Sequence, residues 1–282
     1  MNEHEREPTI RRILVALDAS RHSLAALEAA SELADALKAE LVGIFVEDVN
    51  LLYLAGLPFA REVRYLSGVD RPLDSPSMER GLRIQAEQAK QILAGVAGRR
   101  QLRWSFRVVR GQVTTELLTA AQEADLLALG RASWASTRRV RLGATAREVV
   151  AQALRPVLLL QQGHAICQPV QLAYDGSPAA RRALATAARI ALITGGHLTV
   201  MVIADAPEAA QRLEEEIDGR LQAQQIKGHY RQLVNPSTEG LAHALHTAGG
   251  GTLIISAHSP LLEGEGLPIL LDAIDCSVFL VR

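Results

Sequence analysis

The sequence has few cysteines, few aromatic residues and almost no net charge. Its two cysteines, Cys167 and Cys276, are too few for a disulfide framework, so the sequence predicts a cytoplasmic protein in a reducing compartment. Aromatic residues make up 4% of the 282 residues, and the abundance of Ala and Leu predicts an aliphatic core. The formal net charge of −1 excludes a bulk electrostatic attraction to nucleic acid or to an anionic membrane.

Long hydrophobic runs and catalytic signatures are also absent. No apolar run reaches the roughly 18 residues of a membrane span, and the polar start, MNEHEREPTIRR, lacks the apolar core of a signal peptide. There is no Walker A, G-x-S-x-G, H-E-x-x-H or G-x-G-x-x-G motif. Cys276 has no base beside it in sequence, and His243 and His246 share a helix face without further metal ligands. The sequence therefore predicts neither an enzyme nor a metal site, although slow ATP hydrolysis stays open.

An internal repeat is the main positive feature of the sequence. Residues 13–48 and 170–205 align without a gap. In each copy an apolar strand ends in Asp (Asp18, Asp175), and a Ser two residues later is placed to cap a helix. Apolar residues then recur at helical spacing, and a second apolar strand closes the unit. Such a strand–helix–strand unit requires a parallel strand pair with a right-handed crossover.

Both halves continue in the same style, which predicts two domains. The apolar runs DLLALG and PVLLLQ in the first half, and GTLIIS and SVFLVR in the second, are typical of parallel strands covered on both faces. The predicted fold class is α/β, with two tandem doubly wound five-stranded parallel-sheet domains. The boundary gives an N-terminal domain of residues 1–163 and a shorter C-terminal domain of residues 164–282. An extra segment at about residues 49–80 of the first half is either a lid or packing at the domain interface.

Residues at the carboxyl ends of the predicted strands form a candidate ligand site in the first half, because open parallel sheets bind ligands at that edge. Asp18 ends the first strand, and its carboxylate can accept hydrogen bonds from a base or a ribose. Gly130 ends the fourth strand and lets the backbone approach a ligand. Gly143 precedes a helix whose first N–H groups can bind a phosphate. The alternative is that the two glycines only end a strand and start a helix.

These motifs resemble the universal stress protein family, and the tandem arrangement resembles its two-domain members. The resemblance covers nearly the whole chain apart from the extra segment and the linker, and it implies a Rossmann-like fold. ATP-binding members carry G-x2-G-x9-G-[S/T] after the fourth strand, which maps here with intact spacing to Gly130, Ser133, Gly143 and Ala144. Ser133 replaces the second glycine, and Ala144 replaces the final hydroxyl residue, with Thr145 next to it.

The resemblance also implies roles for single residues. Asp18 matches the base-contacting acid of the family, and Val46 lies where a backbone contact to adenine is usual. Arg131, with three further arginines of the loop, can replace the lost glycine N–H contacts by charge-assisted bonds to phosphate. The expected ligands are ATP and the Mg²⁺ that accompanies it.

The second half has lost this pattern. Ser256 and Ser259 stand at the first two glycine positions, and Gly264 stands at the third. The four residues 260–263 fill the interval where nine are expected, and Glu263 and Glu265 would repel a phosphate. The sequence therefore predicts no ATP site here, and the second half would pack against the first or hold a different ligand.

Two functions follow from these observations. The first is a universal stress protein that binds ATP in its N-terminal domain as a regulatory or sensing ligand in stress response. The second is a nucleotide-free interaction or scaffold module of the same fold that acts through protein partners. The resemblance also suggests that the last strand of each half pairs across domains, or across the chains of a homodimer.

Overall fold

Strands and helices alternate along the chain as the repeat predicts. The computed structural model describes residues 10–18, 20–63, 70–131, 142–161 and 169–282. The elements of the first half are β1 (Arg12–Ala16), α1 (Arg21–Leu37), β2 (Glu40–Asp48), α2 (Val49–Ala55), β3 (Arg61–Val63), β4 (Asp70–Pro72), α3 (Ser75–Arg99), β5 (Trp104–Gly111), α4 (Val113–Ala121), β6 (Leu126–Gly130), α5 (Ala144–Gln152) and β7 (Val157–Leu160). Those of the second half are β8 (Val170–Tyr174), α6 (Pro178–Ile193), β9 (His197–Ala204), α7 (Pro207–Ala223), β10 (Lys227–Val234), α8 (Thr238–Thr247), β11 (Thr252–Ser256), a short 3₁₀ turn (Pro260–Leu262), α9 (Gly266–Ala273) and β12 (Ser277–Val281).

Ten of these strands form one continuous sheet in the order β10-β9-β8-β11-β12-β7-β6-β1-β2-β5. Every pairing within a half is parallel, so each half is the predicted five-stranded parallel sheet. The halves meet where β12 runs antiparallel to β7, with Phe279 opposite Leu158. The expected pairing of the last strands is therefore confirmed across the two halves of the chain.

Helices cover both faces of the sheet. Successive residues of a strand point to opposite faces, so Ile13 joins the core under α1 and α3, whereas Leu14 joins the core under α4 and α5. In the second half α6 and α7 cover one face, and α8 and α9 cover the other. Strands β7, β8, β11 and β12 are buried along their whole length. This two-sided burial explains why the strands near the junction of the halves read as continuous apolar runs.

The repeated Asp-x-Ser motif builds the same turn in both halves. The N–H of Ser20 donates to Oδ1 of Asp18 (2.9 Å), and the N–H of Ser177 donates to Oδ1 of Asp175 (3.0 Å). Ser20 then caps α1 by accepting from the N–H of Ser23, and Ser177 caps α6 in the same way. The predicted serine caps are confirmed, and the two Asp residues stand at equivalent positions at the carboxyl edge of the sheet.

The extra segment distinguishes the first half from the second. Residues 49–74 separate β2 from α3, whereas residues 205–206 separate β9 from α7. The segment forms α2 and the short antiparallel pair β3–β4, and α2 packs on α3. Among the side chains of the segment that the structure describes, five large apolar ones are exposed, namely Leu51, Tyr53, Leu54, Leu57 and Phe59. The segment follows β2, which three strands separate from β12, so its position does not favour packing at the domain interface.

Candidate functional site

The carboxyl ends of β1, β2 and β6 and the start of α5 surround an open pocket with a volume of ≈ 250 Å³. Its lining contains six of the eight residues predicted for nucleotide contact, namely Asp18, Val46, Gly130, Gly143, Ala144 and Thr145. Ser133 lies outside the described residues. Arg131 is described but is not part of the lining. The strand ends and the helix start that the sequence pattern predicts thus line the same pocket.

The lining combines an apolar floor with a polar rim. Apolar side chains of β2, α4 and β6, including Ile44, Leu117 and Leu129, contribute to it together with the polar residues Ser20, His22 and Ser23. Sequence reasoning did not assign His22, Ser23, Val113 or Leu117 to the site. The i, i+4 spacing of Val113 and Leu117 at the start of a predicted helix could have placed them together, whereas nothing in the sequence singles out His22.

Asp18 presents a carboxylate at the pocket. One oxygen, Oδ1, accepts from the N–H of Ser20 at 2.9 Å, which fixes the orientation of the side chain. Within the described part of the chain no hydrogen bond reaches its other oxygen. The side chain is exposed to solvent, so this oxygen can accept a hydrogen bond from a ligand in the pocket.

Gly130 is required by the packing of the first helix. A Cβ built at this position would lie 2.9 Å from the carbonyl oxygen of His22 and 3.0 Å from its Cβ. Because α1 approaches β6 this closely, the structure gives Gly130 a packing role that is independent of any ligand. The glycine also brings the first turn of α1 to the edge of the pocket.

The start of α5 presents backbone N–H groups to the pocket. Gly143 is the N-cap residue, with extended backbone (φ −62°, ψ 156°) and no capping side chain, and the first turn contains no acidic residue. The N–H of Gly143 donates to the carbonyl of Arg131 at 3.1 Å. The N–H groups of Ala144, Thr145 and Ala146 have no acceptor within the helix. The positive end of the α5 dipole therefore meets the pocket without an acidic side chain of its own.

Arg131 lies away from the pocket, which corrects its predicted role in phosphate support. Its side chain is 0% exposed, and Nη1 donates to the carbonyl oxygen of Cys276 at 2.9 Å. A longer bond of 3.4 Å reaches Oε1 of Gln161. Burial lowers the pKa of the guanidinium, and the neighbouring Cys276 and Asp275 act in the opposite direction. The guanidinium turns into the junction of the two halves because the carbonyl after α9 offers it a buried acceptor.

In the second half the equivalent residue, Asp175, has both carboxylate oxygens hydrogen-bonded to groups of the protein. Oδ1 of Asp175 accepts from the N–H of Ser177 at 3.0 Å, and Oδ2 accepts from the hydroxyl of the buried Ser259 at 2.8 Å. A Cβ at Gly176 would lie 2.6 Å from the side chain of Leu213, which shows how closely α7 covers this turn. Asp175 therefore lacks the free carboxylate oxygen that Asp18 offers.

The described residues offer neither a metal-ligating cluster nor a membrane-spanning helix. No group of three or more His, Cys, Asp or Glu side chains within the described ranges is placed to hold a metal ion. No helix in the described part of the chain is long and apolar enough to cross a membrane. Cys276 is a free, buried thiol.

Two parallel α/β sheets joined through their last strands, with a pocket at the carboxyl edge of one of them, define a tandem protein of Rossmann-like type. The model of the Universal stress protein family matches residues 9–161, which is more than half of the chain. The chain therefore belongs to the universal stress protein family.

Solved structures share the whole tandem architecture. A universal stress protein from Archaeoglobus fulgidus DSM 4304 aligns over 98% of this chain and 99% of its own, with 18% identity and a TM-score of 0.74. A protein described as a putative universal stress protein from Pseudomonas aeruginosa UCBPP-PA14 aligns over 97% and 94%, with 16% identity and a TM-score of 0.62. At these identities the likeness shows the fold alone. No curated protein matches the chain.

Proposed function

We propose that this protein binds a nucleotide, ATP in the first instance, in the pocket of its N-terminal half. The nucleotide would serve as a regulatory or sensing ligand in stress response, and the protein would act in the cytoplasm. The observation that carries the proposal is that Asp18 and the start of α5 line the same pocket. A free carboxylate oxygen suits the donors of a base or a ribose, and a helix N-terminus whose own first turn carries no acidic side chain suits phosphate.

The lining residues divide the work of binding. Asp18 would accept from the base or the ribose, and the backbone near Val46 would contact the base edge. The N–H groups at Ala144 and Thr145, with the Thr145 hydroxyl, would donate to phosphate oxygens, and Gly143 keeps that approach clear of a side chain. Since no metal-ligating cluster occurs in the described residues, Mg²⁺ would arrive with the triphosphate and be held mainly by it.

The hydroxyl groups of Ser20 and Ser23 are engaged within the protein and are not arranged as nucleophiles. The hydroxyl of Ser23 donates to the carbonyl of Ser20 at 3.0 Å, and the hydroxyl oxygen of Ser20 accepts from the N–H of Ser23 at 3.1 Å. Both serines are therefore engaged in starting α1. A nucleophilic serine needs a base within hydrogen-bond reach, and no hydrogen bond of the described residues links either hydroxyl to His22.

The second candidate function is an interaction module that acts through protein partners. It is favoured by the five exposed apolar side chains of the extra segment, among which Tyr53 and Phe59 are 75% and 76% exposed. Clusters of exposed apolar residues mark interaction sites. The two functions are compatible if nucleotide binding and partner binding use different faces of the first half.

The direct test is to purify the full chain without added nucleotide, denature it and separate the released small molecules by chromatography with absorbance and mass detection. Near-stoichiometric ATP or ADP would support the nucleotide site. If no nucleotide is released, and millimolar ATP with Mg²⁺ neither shifts the thermal transition nor gives heat on titration, the first proposal is wrong. The interaction module would then be the better description.

A further inference from the structure

One carboxylate of the second half binds the start of α5, the part of the first-half pocket proposed to contact phosphate. Oδ1 of Asp272, on α9, accepts from the N–H of Leu142 at 3.1 Å. Its Oδ2 accepts from Nη2 of Arg147, on the first turns of α5, also at 3.1 Å. A single side chain thus fixes both the residue before the N-cap Gly143 and the helix that Gly143 begins.

The chain segment that enters this region is held by the same part of the second half. Arg131 follows β6, and its buried guanidinium is bound by the carbonyl of Cys276, four residues beyond Asp272. The carbonyl of Arg131 in turn accepts from the N–H of Gly143 at 3.1 Å. The start of α5 is therefore held by Asp272 directly and by Cys276 through Arg131.

This contact is one-sided. The C-cap residues Ala153 of α5 and Ile274 of α9 are equivalent, so the position that corresponds to Asp272 is Ala151. An alanine cannot accept a hydrogen bond through its side chain, so Ala151 gives no such support to the start of α9. In a symmetric pair of domains each contact would occur twice, and among the described residues this contact occurs once, at the half with the open pocket.

We propose that Asp272 is a positioning residue of the nucleotide site, through which the second half holds the phosphate-binding end of α5 in place. This inference rests on the proposed function. Asp272 is not part of the pocket lining and acts through Leu142 and Arg147. It gives a role to the half that has lost its own phosphate-binding pattern.

If Asp272 acted only through its negative charge, its removal would have the opposite effect on ATP affinity to the one that a positioning role predicts. A carboxylate near bound phosphates repels them, so if Asp272 acted only as a charge, its removal would tighten ATP binding. A positioning role predicts weaker binding instead. The variant Asp272→Asn separates the two, because its side-chain oxygen can still accept from the N–H of Leu142 although the charge is gone.

The experiment measures ATP affinity, with Mg²⁺, by calorimetry on the full chain. For Asp272→Ala we expect affinity to fall about tenfold, the effect of losing a hydrogen bond that orients a site. Asp272→Asn should lose less affinity than Asp272→Ala, about threefold, because the acceptor for the N–H of Leu142 is retained while the bond from Arg147 to Oδ2 is lost. Glu265→Gln is the control, since it removes an exposed charge at the other end of the same helix. Adenosine, which lacks phosphates, should bind all variants alike, whereas a general loss of structure would weaken adenosine and ATP together.

The outcomes separate the two proposals. If the wild type binds no ATP, the proposed function fails and Asp272 has no site to position. If the wild type binds ATP and Asp272→Ala binds it equally well or more tightly, the nucleotide site stands and the positioning role is wrong. If Asp272→Asn loses as much affinity as Asp272→Ala, acceptance from Leu142 is not what Asp272 contributes, and the inference is overturned in that form.

Discussion

The buried guanidinium of Arg131 in the first half donates a 2.9 Å hydrogen bond to the main-chain carbonyl of Cys276 in the second half. This bond joins residues that are 145 positions apart in sequence. It places an arginine inside the protein, at the junction of the two halves of the sheet, directly after a glycine at the edge of the pocket. Nε and Nη2 of the same side chain have no hydrogen-bond partner among the described residues.

Arg131→Ala should therefore affect stability more than ligand binding. It leaves a cavity and an unpaired buried carbonyl, and we expect a loss of about 2–4 kcal/mol in the free energy of unfolding, measured with urea. Arg131→Met fills most of the space without burying a charge and should lose less. If Arg131→Ala instead weakened ATP binding at unchanged stability, the original assignment of this residue to phosphate would be restored.

Gly130→Ala should destabilise the protein even without ligand. Its Cβ would lie 2.9 Å from the carbonyl oxygen of His22, and we expect a loss of about 1–3 kcal/mol from overpacking. Gly95→Ala in α3 is the matched control, because nothing lies within 4 Å of a Cβ there. That change should stabilise the protein by about 0.5–1 kcal/mol. Equal effects of the two substitutions in urea denaturation would contradict the packing role of Gly130.

Gly143→Glu should abolish ATP binding and leave the fold intact. The added side chain brings bulk and like charge to the proposed phosphate position, while the extended backbone of Gly143 accepts any residue. Ala206→Glu is the control, since Ala206 is also an N-cap residue with extended backbone (φ −144°, ψ 154°) but lies in the second half. Gly264 would be a poorer control because its φ of 60° strains any other residue. ATP binding to both variants is measured by calorimetry. Loss of binding in both would rule out a single site in the first half.

The Cys276 thiol should be unreactive in the native protein at pH 8. Burial raises its pKa from the ordinary value of 9.0 to about 11, with Arg131 acting in the opposite direction. The thiolate is the reactive form, so labelling by a thiol reagent should be slow until the protein is denatured. A Cys167→Ser background isolates the signal of Cys276. Rapid labelling of the folded protein at pH 8 would show that this thiol is neither buried nor protonated.

The same raised pKa has a consequence for stability. Below about pH 9 the thiol is protonated in both the folded and the unfolded chain and has no effect. Between the two pKa values the unfolded chain releases the proton first, so stability falls as the pH rises from about 9 to about 11. Cys276→Ser should show a smaller loss over this window in urea denaturation.

Tyr53→Ser and Phe59→Ser in the extra segment should each change the free energy of unfolding by less than about 0.5 kcal/mol, because both side chains are largely exposed. Leu93→Ala in α3, where the side chain is buried, should cost about 2–5 kcal/mol. The Tyr53 and Phe59 variants should also lower the binding of an apolar dye to the native protein. Substantial destabilisation by either would mean that the segment is packed rather than presented to a partner.

The fold could be predicted from the sequence because its signals are local. Strands β6, β7, β11 and β12 are continuous apolar runs, and Ser20 and Ser177 mark the helix starts within two residues of an Asp. The pairing of β7 with β12 was expected only from the family resemblance. The sequences of β7 and β12 do not indicate which strand each will pair with, since both are continuous apolar runs.

The candidate site was predicted where it depends on strand ends and helix starts, as with Asp18 and Gly143. It was not predicted where it depends on long-range packing. Arg131 follows a glycine in a polar stretch, a context typical of exposed arginines, and its burial is decided by a carbonyl of the other half. Likewise, the approach of His22 to Gly130 and the reach of Asp272 to Leu142 have no local signature.

The antiparallel contact of β7 with β12 joins two halves of one polypeptide, so their association is unimolecular. Separate subunits joined through the same strands would dissociate on dilution below their dissociation constant. In one polypeptide the partner strand is always present, and the effective concentration is set by the linker rather than by expression level. The chain therefore keeps one pocket-bearing half and one anchoring half at a fixed one-to-one ratio, however scarce the protein becomes.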